Sequence, residues 1–233
     1  MWVDRVAALP VHYMGGKAKI GPKIARYLEE IRRPGQLYVE PFVGAANIVA
    51  CMTGVRHVYD AHPDLIMMWR ALQTGWRPPD HVTEDMHRAL RKAEPSAIRA
   101  FVGFGCSFGG KFFGGFARAT EGTNYARAAM RSLDRKLATL DGVIFRQAFF
   151  HELTPSDSLV YCDPPYEGTA GFSVGKFDHM LFWETMREWS KCNTVIISEK
   201  SAPRDFEVVQ ELSAPCGFGD RKPRREFLFK LRD

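Results

Sequence analysis

Leu37-Tyr38-Val39-Glu40-Pro41-Phe42-Val43-Gly44-Ala45-Ala46-Asn47 is an apolar run that ends on an acidic residue and enters a tight turn of small residues. The run predicts a buried strand, and Ala45–Thr53 reads as the helix that follows. A strand, a small-residue turn and a helix in succession let backbone approach a ligand closely at the helix N-terminus. No Gly-Lys-Ser/Thr follows, so the turn is not a phosphate-cradling loop, and Gly-x-Gly-x-x-Gly is absent as well. An ordinary connection between strand and helix has the same appearance.

Outward from this stretch the pattern repeats. Arg56–Asp60, Val143–Phe145, Leu159–Asp163 and Thr194–Ser198 are further apolar runs of strand length. Lys17–Ile31, Pro63–Gln73 and Asp178–Lys191 have helical character between them. Such alternation predicts an α/β fold around a mostly parallel sheet. Arg225–Leu231 reads as a closing strand, and Phe206–Gln210 is a further candidate. From about Trp76 to Arg127 the alternation stops. That segment opens on Arg77-Pro78-Pro79-Asp80, with Asp80 a candidate N-cap. Two helix-like stretches follow, separated by Glu94-Pro95-Ser96. Phe101–Phe116 then holds six Phe and six Gly in sixteen residues, too Gly-rich for a helix and too aromatic for a flexible linker. The expected organisation is a catalytic domain of residues 1–75 and 128–233, with residues 76–127 inserted over the strand ends.

The chain has 233 residues, 45% of them hydrophobic, enough for one such domain with a full core. No apolar stretch has the length of a membrane span, and Asp4 and Arg5 within the first ten residues argue against a secretory signal. The net charge of +5 is weak evidence for a nucleic-acid partner. Its distribution says more. Arg88–Lys136 carries ten basic and three acidic residues, and Asp220–Asp233 six and three. Two such clusters suit the walls of one groove, or equally the solvated faces of helices. The five cysteines are odd in number and scattered, which suggests neither a disulfide framework nor a zinc site and fits a reducing cytosol.

The chemistry centres on Asp163-Pro164-Pro165-Tyr166, at the carboxyl end of the fourth apolar run. In open α/β sheets ligands bind at that edge. Two prolines fix φ and remove two amide donors, leaving carbonyls free to accept. A carboxylate, a carbonyl and an aromatic ring on one rigid turn suit a planar base bearing an NH₂ group. Two acceptors aimed at the amine hydrogens would stabilise the positive charge that develops as the nitrogen attacks, and alignment with the attacked group would supply the rest. A proline-stiffened strand exit is the plainer alternative. Asp60, about twenty residues after Glu40, is placed to take a ribose hydroxyl pair, or else to cap the helix Pro63–Gln73, for which Asp64 also competes. Tyr13-Met14-Gly15-Gly16-Lys17 can present amides and one ammonium to a carboxylate-bearing ligand.

In this order and spacing the motifs resemble the DNA adenine-N6 methyltransferases of the Dam type, phage members included. Cys106–Phe116, Val195–Lys200 with Ala202-Pro203, and Arg224–Phe229 extend the resemblance over almost the whole chain. It implies a Rossmann-like methyltransferase sheet, S-adenosylmethionine as cofactor, and double-stranded DNA as partner with a flipped-out adenine as substrate. It also implies a cytoplasmic setting in a bacterium or an infected cell, and no metal. Tyr13 and Lys17 would contact the methyl donor. Glu40 and the turn Phe42–Ala45, with Gly44, would hold its methionine end, Asp60 its ribose and Phe149 its adenine. Asp163 and Pro164 would take the target amine, and Tyr166 would stack on the base. Lys111, Arg118, Arg221, Lys222 and Arg224 would bind DNA, while the Phe-rich stretch would mainly fill a core. The chain departs from the family at Ala45 and Ala46, where methyl groups stand near the cofactor's path, and at Ala148, where an acidic residue is usual. Transfer to another amine, a degenerate DNA-binding module and an unrelated nucleotide-binding protein are the rival readings. The oligomeric state is open between monomer and weak dimer.

Overall fold

The computed structural model describes residues 16–118, 123–167, 175–214 and 224–232. Tyr13, Arg221, Lys222 and Cys216 lie outside them, as does the side chain of Arg224.

Seven strands form one sheet in the order β3-β2-β1-β4-β5-β7-β6. They are β1 (Leu37–Glu40), β2 (Arg56–Asp60), β3 (Ile144–Gln147), β4 (Ser158–Cys162), β5 (Thr194–Glu199), β6 (Phe206–Ala214) and β7 (Arg224–Leu231). β3 through β5 run parallel; β7 pairs antiparallel with both β5 and β6. Every residue of β4 is buried, as a strand covered on both faces requires. This is the expected Rossmann-like α/β sheet. The chain moves from β1 outward to β3, then returns to β4 on the other side of β1. The crevice beyond the ends of β1 and β4 is therefore the topological switch point, where ligands bind in such sheets.

Among the helices, α1 (Gly21–Ile31) starts with Pro22 in its first turn, later than the expected Lys17. Its Gly21 lies so near the turn after β1 that a Cβ there would stand 3.0 Å from the Asn47 carbonyl. α2 (Pro63–Gln73) has the expected bounds, but neither Asp60 nor Asp64 caps it. α6 (His179–Ser190) is capped by Asp178, whose Oδ1 accepts the Leu181 amide at 3.0 Å.

The helix expected over Ala45–Thr53 is reduced to one 3₁₀ turn, Val49–Cys51. Gly44 and Ala46 both have positive φ, 44° and 53°, which interrupts any right-handed run. The carbonyls that a continuing helix would use are taken elsewhere. Arg56 donates to Val49 and Met52 at 3.4 and 2.9 Å, and also to the carbonyls of Thr139 and Asp141.

The segment after α2 contains α3 (Glu84–Leu90) and α4 (Ala97–Gly105), and α5 (Tyr125–Leu137) crosses the expected 127/128 boundary. Thr83, not Asp80, caps α3, and Asp80 instead pairs with Arg127. α4 takes in Phe101–Gly105, so part of the Phe/Gly stretch is helical after all. Gly103 allows this packing, since a Cβ there would meet the Phe112 ring at 2.4 Å. Phe101, Phe104 and Phe113 are buried in the same core as Trp69 and Leu65 of α2, the structural role expected of most of the stretch. A buried ion pair ties the segment down. Asp64 of α2, 1% exposed, meets Arg99 of α4 at 2.7 Å and accepts the Ser96 amide at 2.9 Å. The His62 ring packs edge-on against those of Phe104 and Phe112, and burial pushes its titration down to about 4 against the opposing pull of Asp64.

Candidate active site

A cavity of about 490 Å³ opens along the carboxyl edge of the sheet, a size that suits a cofactor. Four strand exits line it in the order in which the strands stand side by side. Ala148–His151 follow β3, Asp60 ends β2, Glu40 ends β1 and Pro41–Ala45 follow it, and Asp163–Tyr166 follow β4. Most of the wall is apolar: Phe42 packs against Phe150, Phe177 and Phe182, and Leu181 and the two prolines complete it.

Asp60 fixes the turn beyond β1. Its Oδ2 accepts the Gly44 amide and its Oδ1 the His62 amide, both at 2.9 Å. Burial raises its pKa to about 6, against the lowering effect of those two amides. The Gly44 carbonyl accepts from the buried Trp69 indole at 3.0 Å, and Lys136 donates to the Ala45 carbonyl at 2.6 Å. Burial, with the neighbouring Arg135, brings Lys136 down to about 8. With its amide committed to Asp60 and no helix behind it, the turn offers a ligand shape rather than the expected helix N-terminus. Glu40 is buried and accepts from Tyr38 at 2.9 Å; desolvation holds its carboxyl well above the ordinary range.

Lys17 reaches across to the turn after β4, and not to an open position for a ligand carboxylate. Its Nζ lies 2.9 Å from Asp163 Oδ1 and 3.3 Å from Glu226 Oε1, and it donates to the Tyr166 hydroxyl. Tyr166 in turn donates to Glu226 Oε1. Burial pushes the Lys17 ammonium down, but Asp163 and Glu226 outweigh it and the net shift is upward. Burial and the same carboxylates raise the Tyr166 phenol, which stays neutral. Glu199, at the end of β5, steadies the loop by accepting the amides of Glu167 and Lys200 at 3.1 and 2.6 Å.

The structure thus brings Lys17, Glu40, Phe42, Gly44, Asp60, Phe149, Asp163, Pro164 and Tyr166 to one cavity. Phe149 is 43% exposed and stacks on His151, with ring centroids 5.6 Å apart. Of the departures, Ala45 and Ala148 do line the cavity, but Ala46 does not. Its methyl is fully buried in the core, so it takes no room from a ligand. The sequence reading missed Glu226 as a site residue. Its signal was an acidic residue in an otherwise apolar half of a strand, Glu226-Phe227-Leu228-Phe229. Of the expected DNA contacts, Lys111 is exposed, and Arg118 forms a two-pronged pair with Glu84 at 2.9 and 3.2 Å.

No family model and no curated protein matches the chain. Solved structures similar to it include an rRNA methylase from Streptococcus thermophilus, at 10% identity and a TM-score of 0.39, covering 89% of this chain and 94% of that one. Another is a precorrin-6y C5,15-methyltransferase from Geobacter metallireducens, at 8% identity and a TM-score of 0.40, covering 91% and 88%. Likeness at that distance says nothing about chemistry, which rests on the site itself. Among the described residues no helix is long and apolar enough to cross a membrane.

Proposed function

We propose that the chain is an S-adenosylmethionine-dependent DNA methyltransferase acting on N6 of a flipped-out adenine. One observation carries the reading: the order of the strand exits matches the order of parts in the cofactor and its target. Exposed Phe149 beyond β3 suits an adenine ring, Asp60 at β2 a ribose, and the Glu40–Ala45 turn at β1 the methionine end. The acceptor turn, Asp163–Tyr166, comes next at β4. The three exits assigned to the cofactor span two strand spacings of roughly 4.8 Å, roughly 10 Å, the scale of the distance from an adenine ring across its ribose to the chain beyond. The lining fits too, with the Asp60 carboxylate for a hydroxyl pair, the Glu40 turn for the polar methionine end and apolar walls for the adenine ring.

When bound, S-adenosylmethionine supplies an electrophilic methyl: the amine lone pair forms the N–C bond, and the C–S pair stays with sulfur. Lys17 holds Asp163 by Oδ1, leaving the second oxygen for the target amine. That oxygen and the Pro164 carbonyl accept the amine hydrogens and stabilise the charge growing on nitrogen. Asp163 takes the released proton and passes it to water. Tyr166, fixed through its hydroxyl, presents its ring to the base. A target buried in a duplex must leave the stack to reach such a pocket.

The test is to sequence DNA from cells producing the protein, with a readout for adenine methylation. N6-methyladenine at a defined sequence is expected with the wild type and not with Asp163→Ala. Unmodified adenine in both would overturn the reading.

A further inference from the structure

The cluster behind Asp163 has an uneven charge count. Among the described residues, Asp163 and Glu226 are two carboxylates gathered around one ammonium, Lys17, with a neutral phenol between them, so that this group of side chains carries one negative charge more than it balances. Lys200 lies over the Tyr166 ring at 5.8 Å, and its charge is opposed by the adjacent Glu199 carboxylate, whose ionised form it favours. Lys17, Asp163 and Tyr166 line the cavity; Glu226, its side chain 11% exposed, lies outside the lining. Glu226 therefore acts on a ligand through its field and through the groups that it holds. The cluster is shielded from water, where a unit charge is felt far more strongly than at the surface.

The proposed cofactor and its product differ by one positive charge on sulfur and one methyl group. We infer that Glu226 is a specificity-determining residue that holds this cluster at one net negative charge, so that the site selects the cationic methyl donor over its neutral thioether product. The inference rests on the S-adenosylmethionine reading above. It also gives that site a means of letting product go, since the attraction falls away once the methyl has left.

The test needs only binding. Calorimetric affinities for S-adenosylmethionine and S-adenosylhomocysteine are measured on the wild type, Glu226→Gln, Lys17→Met and the double variant, with melting curves to verify folding. Their ratio cancels contacts common to both ligands. Wild type should favour the cation. Glu226→Gln makes the cluster neutral, and the preference should fall by roughly tenfold, the order expected for one charge across a cavity at an effective dielectric of about 20. Lys17→Met should raise the preference at alkaline pH, where Asp163 and Glu226 both stay ionised without their shared cation. The double variant has the wild-type charge count and should return towards the wild-type ratio, although it lacks both side chains. A purely structural role for Glu226 predicts no such return. If Glu226→Gln does not fold, the opposite shift in Lys17→Met remains as the test. A ratio in Glu226→Gln within about twofold of wild type, with both affinities measurable, would overturn the inference alone. A folded wild type that binds neither compound would overturn the cofactor reading, and the inference with it.

Discussion

On the proposed reading, Asp60 has one carboxylate and two tasks. It already holds the amides of Gly44 and His62, yet a carboxylate has lone pairs left for a ribose hydroxyl. Hydroxyl donors favour its charged form, and burial disfavours it, with a pKa of about 6. Binding should therefore shift that pKa down. By linkage, affinity for S-adenosylhomocysteine is expected to weaken as pH falls through about 6, approaching roughly tenfold per unit below it. Asp60→Asn should bind more weakly and without that slope. Titration calorimetry between mildly acidic and neutral pH measures both, and an equal slope in the variant would remove Asp60 from the ribose. At this scale the sequence was legible wherever a residue ends a strand, as Glu40 and Asp60 do, or directly follows one, as Asp163 does, because strand ends are set by local pattern. Glu226 and the inward turn of Ala46 were not. Each depends on which distant element comes to lie beside it.

At the scale of elements, α2 and α4 are joined by an interaction that no local pattern announces. Asp64 looked like a capping residue and is instead the buried partner of Arg99, 35 positions later. Taking away the cation would strand a carboxylate that is 1% exposed. Arg99→Met is therefore expected to cost about 3 kcal/mol in urea unfolding. Adding Asp64→Asn should regain part of that cost, since the stranded charge is gone while an oxygen remains for the Ser96 amide. Additive losses would mean that the pair contributes nothing as a pair. The helix predicted over Ala45–Thr53 failed for a similar reason. Its composition permits a helix, but Arg56 claims its carbonyls from the neighbouring strand. The alternation of strands and helices was legible because it depends on periodicity alone.

At the scale of the whole molecule, the proposed function requires a surface that holds DNA by its phosphates. Binding to phosphate should depend steeply on salt through counterion release. Neutralising Lys111, Arg118, Arg221, Lys222 and Arg224 together should flatten the slope by roughly 0.9 per true contact. Arg118 should contribute least, because it must first leave Glu84. Duplex affinity measured from low to high salt, for wild type and variant, decides this. An unchanged slope would make these positions ordinary solvated surface.

One more consequence lies in how Gly44 is held. It has no side chain, and its position is set by two hydrogen bonds, one from its amide to Asp60 and one from the Trp69 indole to its carbonyl. The shape of the turn is thus written at two other addresses, one of them on α2 and buried in the core. A genetic selection for loss of ligand binding should return changes at Trp69, which does not line the cavity, alongside those at residues that do. Suppressors of such changes should map to the turn itself.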